Sequence, residues 1–195
     1  MYQIGSHNAL TYLKPKKWWM KLLRFTARCQ DVDIYHQYLD YNSRCFDFRV
    51  RFDDGELVIA HGIIKYEITK YELYKILDWL DKCKDVSIRM IHEVRNNKMY
   101  TEDRIALFKE FCSFIEKKYP NIKFWSGYNL LPNPTADYEF EYTPSCEEIY
   151  SSVCSPKIID DWYPRWFAKK HNKETLSKGT NKDILLIDFV NYGIH

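Results

Sequence analysis

No apolar run in this 195-residue chain approaches the about 20 residues that a membrane span requires, and the N-terminus opens on a strand rather than on the apolar core of a secretory leader. The expectation is a soluble protein of unassigned compartment, cytoplasmic by default and secreted if a leader was removed. Linkers, internal repeats and low-complexity tracts are also missing, and the length suits one sizeable core better than two, so a single domain over residues 1–195 is expected. The charge excess is small, +2 spread over many acidic and basic residues, which excludes a nucleic-acid binder that works through a global positive field. The six cysteines (29, 45, 83, 112, 146 and 154) show no C-x-x-C spacing, and their even number alone does not establish disulfides; reduced thiols are the simpler reading.

Aromatic residues, by contrast, are plentiful at 17%, including 16 tyrosines, and most are expected to fill the core. The informative stretch is Ser43-Arg44-Cys45-Phe46-Asp47-Phe48-Arg49-Val50, followed after an Asp53-Asp54-Gly55 turn by Glu56-Leu57-Val58-Ile59-Ala60-His61-Gly62. Alternating polar and apolar residues on either side of Asp-Gly predict two antiparallel strands. On the first of these, Asp47 and Arg49 share a face with Cys45, opposite Phe46, Phe48 and Val50. That charged face is either solvated or part of a site. At the N-terminus, Ile4-Gly5-Ser6-His7-Asn8 places a histidine and an amide at the end of a short apolar run. Two imidazoles, His7 and His61, around the guanidinium of Arg49 and the carboxylate of Asp47 would suit proton transfer at a phosphate ester.

Further along, the order is strand, helix, strand, helix. Asp31 or Asp33 caps a helix that Asn42 ends; Thr69 and Glu72 form a capping box before Leu73, Ile76, Leu77 and Leu80; a second helix starts at Thr101. The run 86–94 reads as a buried strand whose register is open: either Arg89, Ile91 and Glu93 face the interior, or His92 does. Strands are expected at 122–126, 138–142 and 157–163, a loop at 131–134, and helices at 145–153 and 166–176. The last strand, 184–190, is apolar apart from Asp188, whose carboxylate needs a partner if buried, and His7 is the natural one. Lys14-Pro15-Lys16-Lys17-Trp18-Trp19-Met20-Lys21-Leu22-Leu23-Arg24-Phe25 mixes cations with large apolar groups. It suits either a bilayer surface or packing on the rest of the fold.

Gly5-Ser6-His7-Asn8, then Gln37-Tyr38-Leu39-Asp40-Tyr41-Asn42-Ser43-Arg44-Cys45-Phe46-Asp47-Phe48-Arg49, then His61-Gly62 together resemble the X region of the phosphatidylinositol-specific phospholipases C. The similarity is clear over residues 3 to 62 and weaker at 86 to 94, at Asp160-Asp161-Trp162-Tyr163 and in the Asp188 strand. The resemblance implies an α/β fold, a distorted TIM barrel, abbreviated because complete eight-fold barrels need about 250 residues. It implies a phospholipid headgroup as partner and cleavage of a phosphodiester by the neighbouring sugar hydroxyl. In that scheme His7 is general base, Asp188 its support, His61 general acid, Arg49 the phosphate ligand, and Asp47 orients Arg49 or touches substrate. Asn8, Arg89, Glu93, Asp160, Trp162 and Tyr163 are the candidate substrate contacts, with Trp162 or Tyr163 able to stack on an inositol ring; the acidic pair Asp160-Asp161 also reads as a helix cap.

The metal question turns on Arg49. In the calcium-using branch of the family the residue two after the first strand carboxylate is acidic, whereas a guanidinium repels a cation, so no cofactor is expected. If calcium were used, Asn8, Asp47 and Glu93 would be its ligands. Asn8 departs from the bacterial pattern, in which an aspartate there supports the second histidine. Two other readings stay open: a metal-dependent glycerophosphodiester or sphingomyelin phosphodiesterase, and a catalytically silent barrel that binds headgroups.

Overall fold

The structure is a computed structural model that describes residues 2–94, 96, 98–127, 136–145 and 147–193. In chain order its elements are β1 (Gln3–Ser6), α1 (Trp18–Ala27), α2 (Ile34–Leu39), β2 (Ser43–Asp53), β3 (Glu56–His61), β4 (Ile64–Lys65), α3 (Lys70–Leu80), β5 (Ser87–His92), α4 (Glu102–Lys118), β6 (Lys123–Ser126), β7 (Glu147–Tyr150), α5 (Ile158–Trp162), α6 (Pro164–Lys178) and β8 (Ile184–Ile187). Parallel strands run in the order β6, β5, β2, β1, β8, β7. First and last strands of the chain are thus neighbours, as a barrel requires. The far end of β2 pairs antiparallel with β3 through Asp54-Gly55, both with positive φ, as a two-residue turn between twisted strands demands.

Side-chain alternation sorts the chemistry from the packing. Phe46 and Phe48 of β2 and Ile88 and Met90 of β5 point outward under α3 and α4, where Leu73, Leu77, Phe108 and Ile115 complete the main core. The opposite faces enclose a smaller core of Cys45, Trp125, Ile184 and Leu186. Above it, on the same inward face, stand the charged groups. The interior is tight at its base: a Cβ on Gly5 would lie 2.4 Å from Leu186 and 3.0 Å from Cys45, so only glycine lets β1 sit between β2 and β8.

Local signals place the helices. Asp33 accepts from the His36 backbone at the start of α2, and Thr69 and Glu72 form the capping box of α3. Asn42 takes φ 52° just before β2. The cysteines among the described residues (29, 45, 83, 112 and 154) are free.

Three expectations need correction. Residues 138–142 form no strand, although Phe140 packs into the core. In place of the helix expected at 145–153 stand the short strand β7 and a 3₁₀ turn, Ser152–Cys154, because β8 offers a free parallel edge to Glu147–Tyr150. Residues 157–163 are the helix α5 and not a strand: the Ile158-Ile159 pair that suggests burial is exposed at the surface. The expected loop at 131–134 lies outside the described residues.

Candidate active site

The polar groups gather where parallel strands end. β1 delivers His7, β2 delivers Asp47 and Arg49, β5 leads to Glu93 and β8 to Asp188, all in the region where barrel chemistry collects. The open register of residues 86–94 is resolved by the structure. Arg89 and Glu93 face inward, whereas His92 points out, where Asp137 lies 2.7 Å from its Nδ1 and Phe108 stacks on its ring.

His7 and Asp188 are joined across the β1–β8 seam, with Nδ1 of His7 2.8 Å from Oδ1 of Asp188. The other carboxylate oxygen accepts the Ser152 backbone N–H at 3.2 Å. On the far side of the ring, Nη2 of Arg49 lies 2.9 Å from His7 Nε2. A guanidinium can only donate, so Nε2 is the acceptor and the ring proton sits on Nδ1, shared with Asp188. The Nε2 lone pair is thus turned toward the guanidinium.

The seam is heavily fastened. The Gln30 side chain donates 3.0 Å hydrogen bonds to the carbonyls of both His7 and Ile187 and accepts from the Val190 N–H. Phe189 takes φ 49°, a costly conformation for a bulky residue, and is held there by Asn172, whose amide donates to the Asp188 and Phe189 carbonyls. This turn is what brings the Asp188 carboxylate inward.

Arg49 is itself bracketed by carboxylates. Its Nε donates to Asp47 at 3.2 Å and its Nη1 to Glu93 at 3.4 Å. Burial alone would lower the affinity of Arg49 for its proton, but Asp47 and Glu93 outweigh it and push its pKa up. Burial would likewise raise Asp47, yet Arg49 and Arg89 prevail and hold its carboxyl down to about 2. Glu93 also accepts the Gly62 N–H at 2.7 Å, which ties the β3–β4 turn, and with it His61, to the arginine. Nδ1 of His61 lies 2.9 Å from the Ala27 carbonyl. A backbone oxygen therefore orients this ring, where the expected aspartate at position 8 is an asparagine. Burial, then the charge of Arg49, holds His61 below its usual pKa.

His7, Arg49 and His61 line one cavity of about 640 Å³, together with Arg89, Glu147 and Cys29. Trp162 stands at its rim. Asp47, Glu93 and Asn8 lie outside this lining, behind Arg49 and His7: the Asn8 backbone donates to Asp47 at 3.0 Å, and its amide to Cys29 Sγ at 3.4 Å. The structure does not bring Asp160 or Tyr163 to the cavity. Asp160 accepts from Ser155 at 2.6 Å beside α5, and Tyr163 stacks on Phe25 at 5.4 Å. The change from strand to helix in this segment turns those two side chains away.

Glu147 and Cys29 are the groups that sequence reading missed. Glu147 lies 3.8 Å from Arg89, and burial raises its pKa despite that partner. Cys29 is buried against His7 and Asp188, and burial, then the Asp188 charge, keeps its thiol protonated well above the usual range. Neither residue carries a local pattern that could have marked it.

With this geometry in view, comparison is informative at one level. No protein-family model and no curated protein matches the chain. Among solved structures it is similar to the phosphatidylinositol-specific phospholipase C from Listeria monocytogenes, with a TM-score of 0.64 and 15% identity, over 97% of this chain and 88% of that one. That likeness shows the fold. The curled parallel sheet with helices outside it is a distorted barrel of the same type, and β1 and β8 form its seam. At this identity the likeness extends to architecture and not to the roles of individual residues.

Among the described residues, ligand atoms of His7, Cys29 and Asp188 lie within 4.8 Å of one another. Imidazole, thiol and carboxylate would suit a soft cation such as zinc, not the oxygen cage that calcium takes. The oxygen donors Asp47 and Glu93, which with Asn8 would be the ligands if calcium were used, have the Arg49 guanidinium between them. A divalent ion does not fit beside that fixed positive charge.

Proposed function

We propose that the chain is a phosphodiesterase that cleaves phosphatidylinositol or a related lipid by intramolecular attack of a sugar hydroxyl. The observation that carries this reading is the placement of His7, with Nδ1 2.8 Å from the Asp188 carboxylate and Nε2 2.9 Å from Arg49 Nη2. A base so placed removes the proton from a hydroxyl beside a phosphate that Arg49 grips. The oxygen attacks phosphorus, the bond to the diacylglycerol oxygen breaks, and protonated His61 gives that oxygen a proton. The products are a cyclic phosphate and diacylglycerol. Arg49 stabilises the charge that develops on the phosphorane, and Asp47 and Glu93 fix its fork. Arg89 and Glu147, whose Nε, Nη1 and Oε2 atoms are buried without hydrogen-bond partners among the described residues, are the groups available for the ring hydroxyls.

The cavity mouth supports a lipid substrate. Trp18, Leu22 and Leu23 of α1 and Ile158 and Trp162 of α5 are exposed, with Trp18 at 74% and Ile158 at 80%. Leu23 and Trp162 also line the cavity. An apolar rim set among lysines suits shallow insertion at a bilayer surface. Among the described residues, no helix is long and apolar enough to cross a membrane.

The test removes the nucleophile. The 2-deoxy analogue of phosphatidylinositol should resist cleavage in mixed micelles in which the parent lipid is turned over. Cleavage of both at comparable rates would instead favour a hydrolase that activates water, as a metal-dependent relative would.

A further inference from the structure

A second cavity, of about 440 Å³, lies on the other side of α1 and shares no lining residue with the first. Lys21, Arg24, Arg28, Arg165 and Lys169 line it, with no carboxylate in its wall. The nearest acid, Asp31, is already engaged by Arg28 at 3.0 Å, by Arg165 and by the Tyr192 hydroxyl at 3.2 Å. Two of the five cations, Arg28 and Arg165, thus share the one carboxylate, and Lys21, Arg24 and Lys169 form no ion pair among the described residues.

Such crowding is unfavourable without a counter-charge. Arg24 shows it: burial and then the Arg28 charge lower its pKa, with Arg165 adding to the effect. One guanidinium nitrogen of Arg24 is tied to the Tyr12 and Leu13 carbonyls, at 2.6 and 2.9 Å, while its Nε is buried with no partner. Among the described residues, Lys169 has only the Tyr192 ring, at 5.3 Å. The remaining wall is aromatic, with Phe25 stacked on Tyr163 and Trp166 exposed beside them.

We propose that this basic pocket between α1 and α6 binds a phosphate group, as a second site that takes no part in catalysis. Guanidinium forks match phosphate oxygens in pairs, and the lysines add point charge. The phosphate belongs either to an anionic lipid headgroup or to a free phosphate ion. Because the two cavities share no lining residue, this site and the proposed reaction stand or fall separately.

Two binding measurements without turnover decide it. One titrates inorganic phosphate into the protein by calorimetry; the other sediments it with phosphatidylcholine vesicles with and without phosphatidylglycerol. The variants are Arg165→Gln/Lys169→Gln and Lys21→Gln/Lys169→Gln, the second of which leaves the Asp31 pairs intact. Lys82→Gln/Lys117→Gln, on α4 and the turn after α3, removes the same charge elsewhere. Loss of two cations should weaken binding about 30-fold in the arm that reports the true source, since each contributes roughly fivefold near an anionic surface. Saturable phosphate binding lost in both pocket variants identifies a free anion; a phosphatidylglycerol-dependent gain lost in both identifies the headgroup. Equal losses in the control variant, or no loss in the pocket variants, would overturn the proposal. So would the absence of both phosphate binding and a phosphatidylglycerol effect in the parent protein.

Discussion

Replacing Asp188 by asparagine exchanges one oxygen for an amide nitrogen, and both oxygens are in use. One takes the His7 Nδ1 proton at 2.8 Å and the other the Ser152 N–H at 3.2 Å. If the amide oxygen faces His7, the new NH₂ confronts the Ser152 N–H. If it turns round, the NH₂ meets Nδ1 and the ring proton moves to Nε2, where Arg49 Nη2 already donates from 2.9 Å. Either arrangement opposes two donors in a buried site, at a cost of about 1–3 kcal/mol. For a chain of this size that is a fall of roughly 2–12 °C in melting temperature. The second arrangement also removes the base's lone pair, and the wrong tautomer costs about 10⁴ in kcat where a carboxylate supports a catalytic histidine. Steady-state turnover of phosphatidylinositol in mixed micelles, with a thermal melt on the same preparation, reads both quantities. The expected result is a kcat loss of about 10³–10⁴ with KM nearly unchanged and the fold retained. A folded Asp188→Asn variant within tenfold of the parent kcat would refute the assignment of His7 as base.

Arg49→Lys keeps the charge but loses the fork between Asp47 and Glu93, so kcat should fall about 10²–10³-fold in the same assay; a tenfold loss or less would mean that a point charge suffices. His61 must be protonated to act as acid, and its pKa is held below the ordinary 6.5 by burial and then by Arg49. Turnover of the lipid should therefore decline as pH rises through a value below that figure, and the decline should vanish with a nitrophenyl ester, whose leaving group needs no proton. Trp18→Ala/Ile158→Ala should reduce activity on vesicles about tenfold or more and leave activity on a short-chain soluble substrate unchanged; equal losses on both would place these residues in the chemistry instead.

Much of the fold was legible because strand alternation is a strong signal. Asp47 and Arg49 on one face and Phe46 and Phe48 on the other were enough to say which side of β2 carries charge, and the Asp33, Thr69 and Asn42 cap signals stand where they were expected. The pairing of His7 with Asp188 followed from the cost of burying a carboxylate alone. The strand expected at 157–163 failed for a physical reason of its own. The pair Ile158-Ile159 reads as a buried strand only if apolar residues are assumed to be inside, and here they form an exposed rim. Glu147, Cys29 and Gln30 reach the site through tertiary placement alone, so no spacing could have revealed them. The ring of His61 is oriented by a main-chain carbonyl, that of Ala27, a partner that sequence cannot specify.

Phosphorus NMR of the first product formed from phosphatidylinositol tests the central claim most directly. A cyclic phosphodiester that appears before any monoester, at the same rate with and without a strong chelator, is the predicted result. An acyclic inositol phosphate as the first product, or turnover that a chelator abolishes and calcium restores, would contradict an account built on His7, Arg49 and His61 alone.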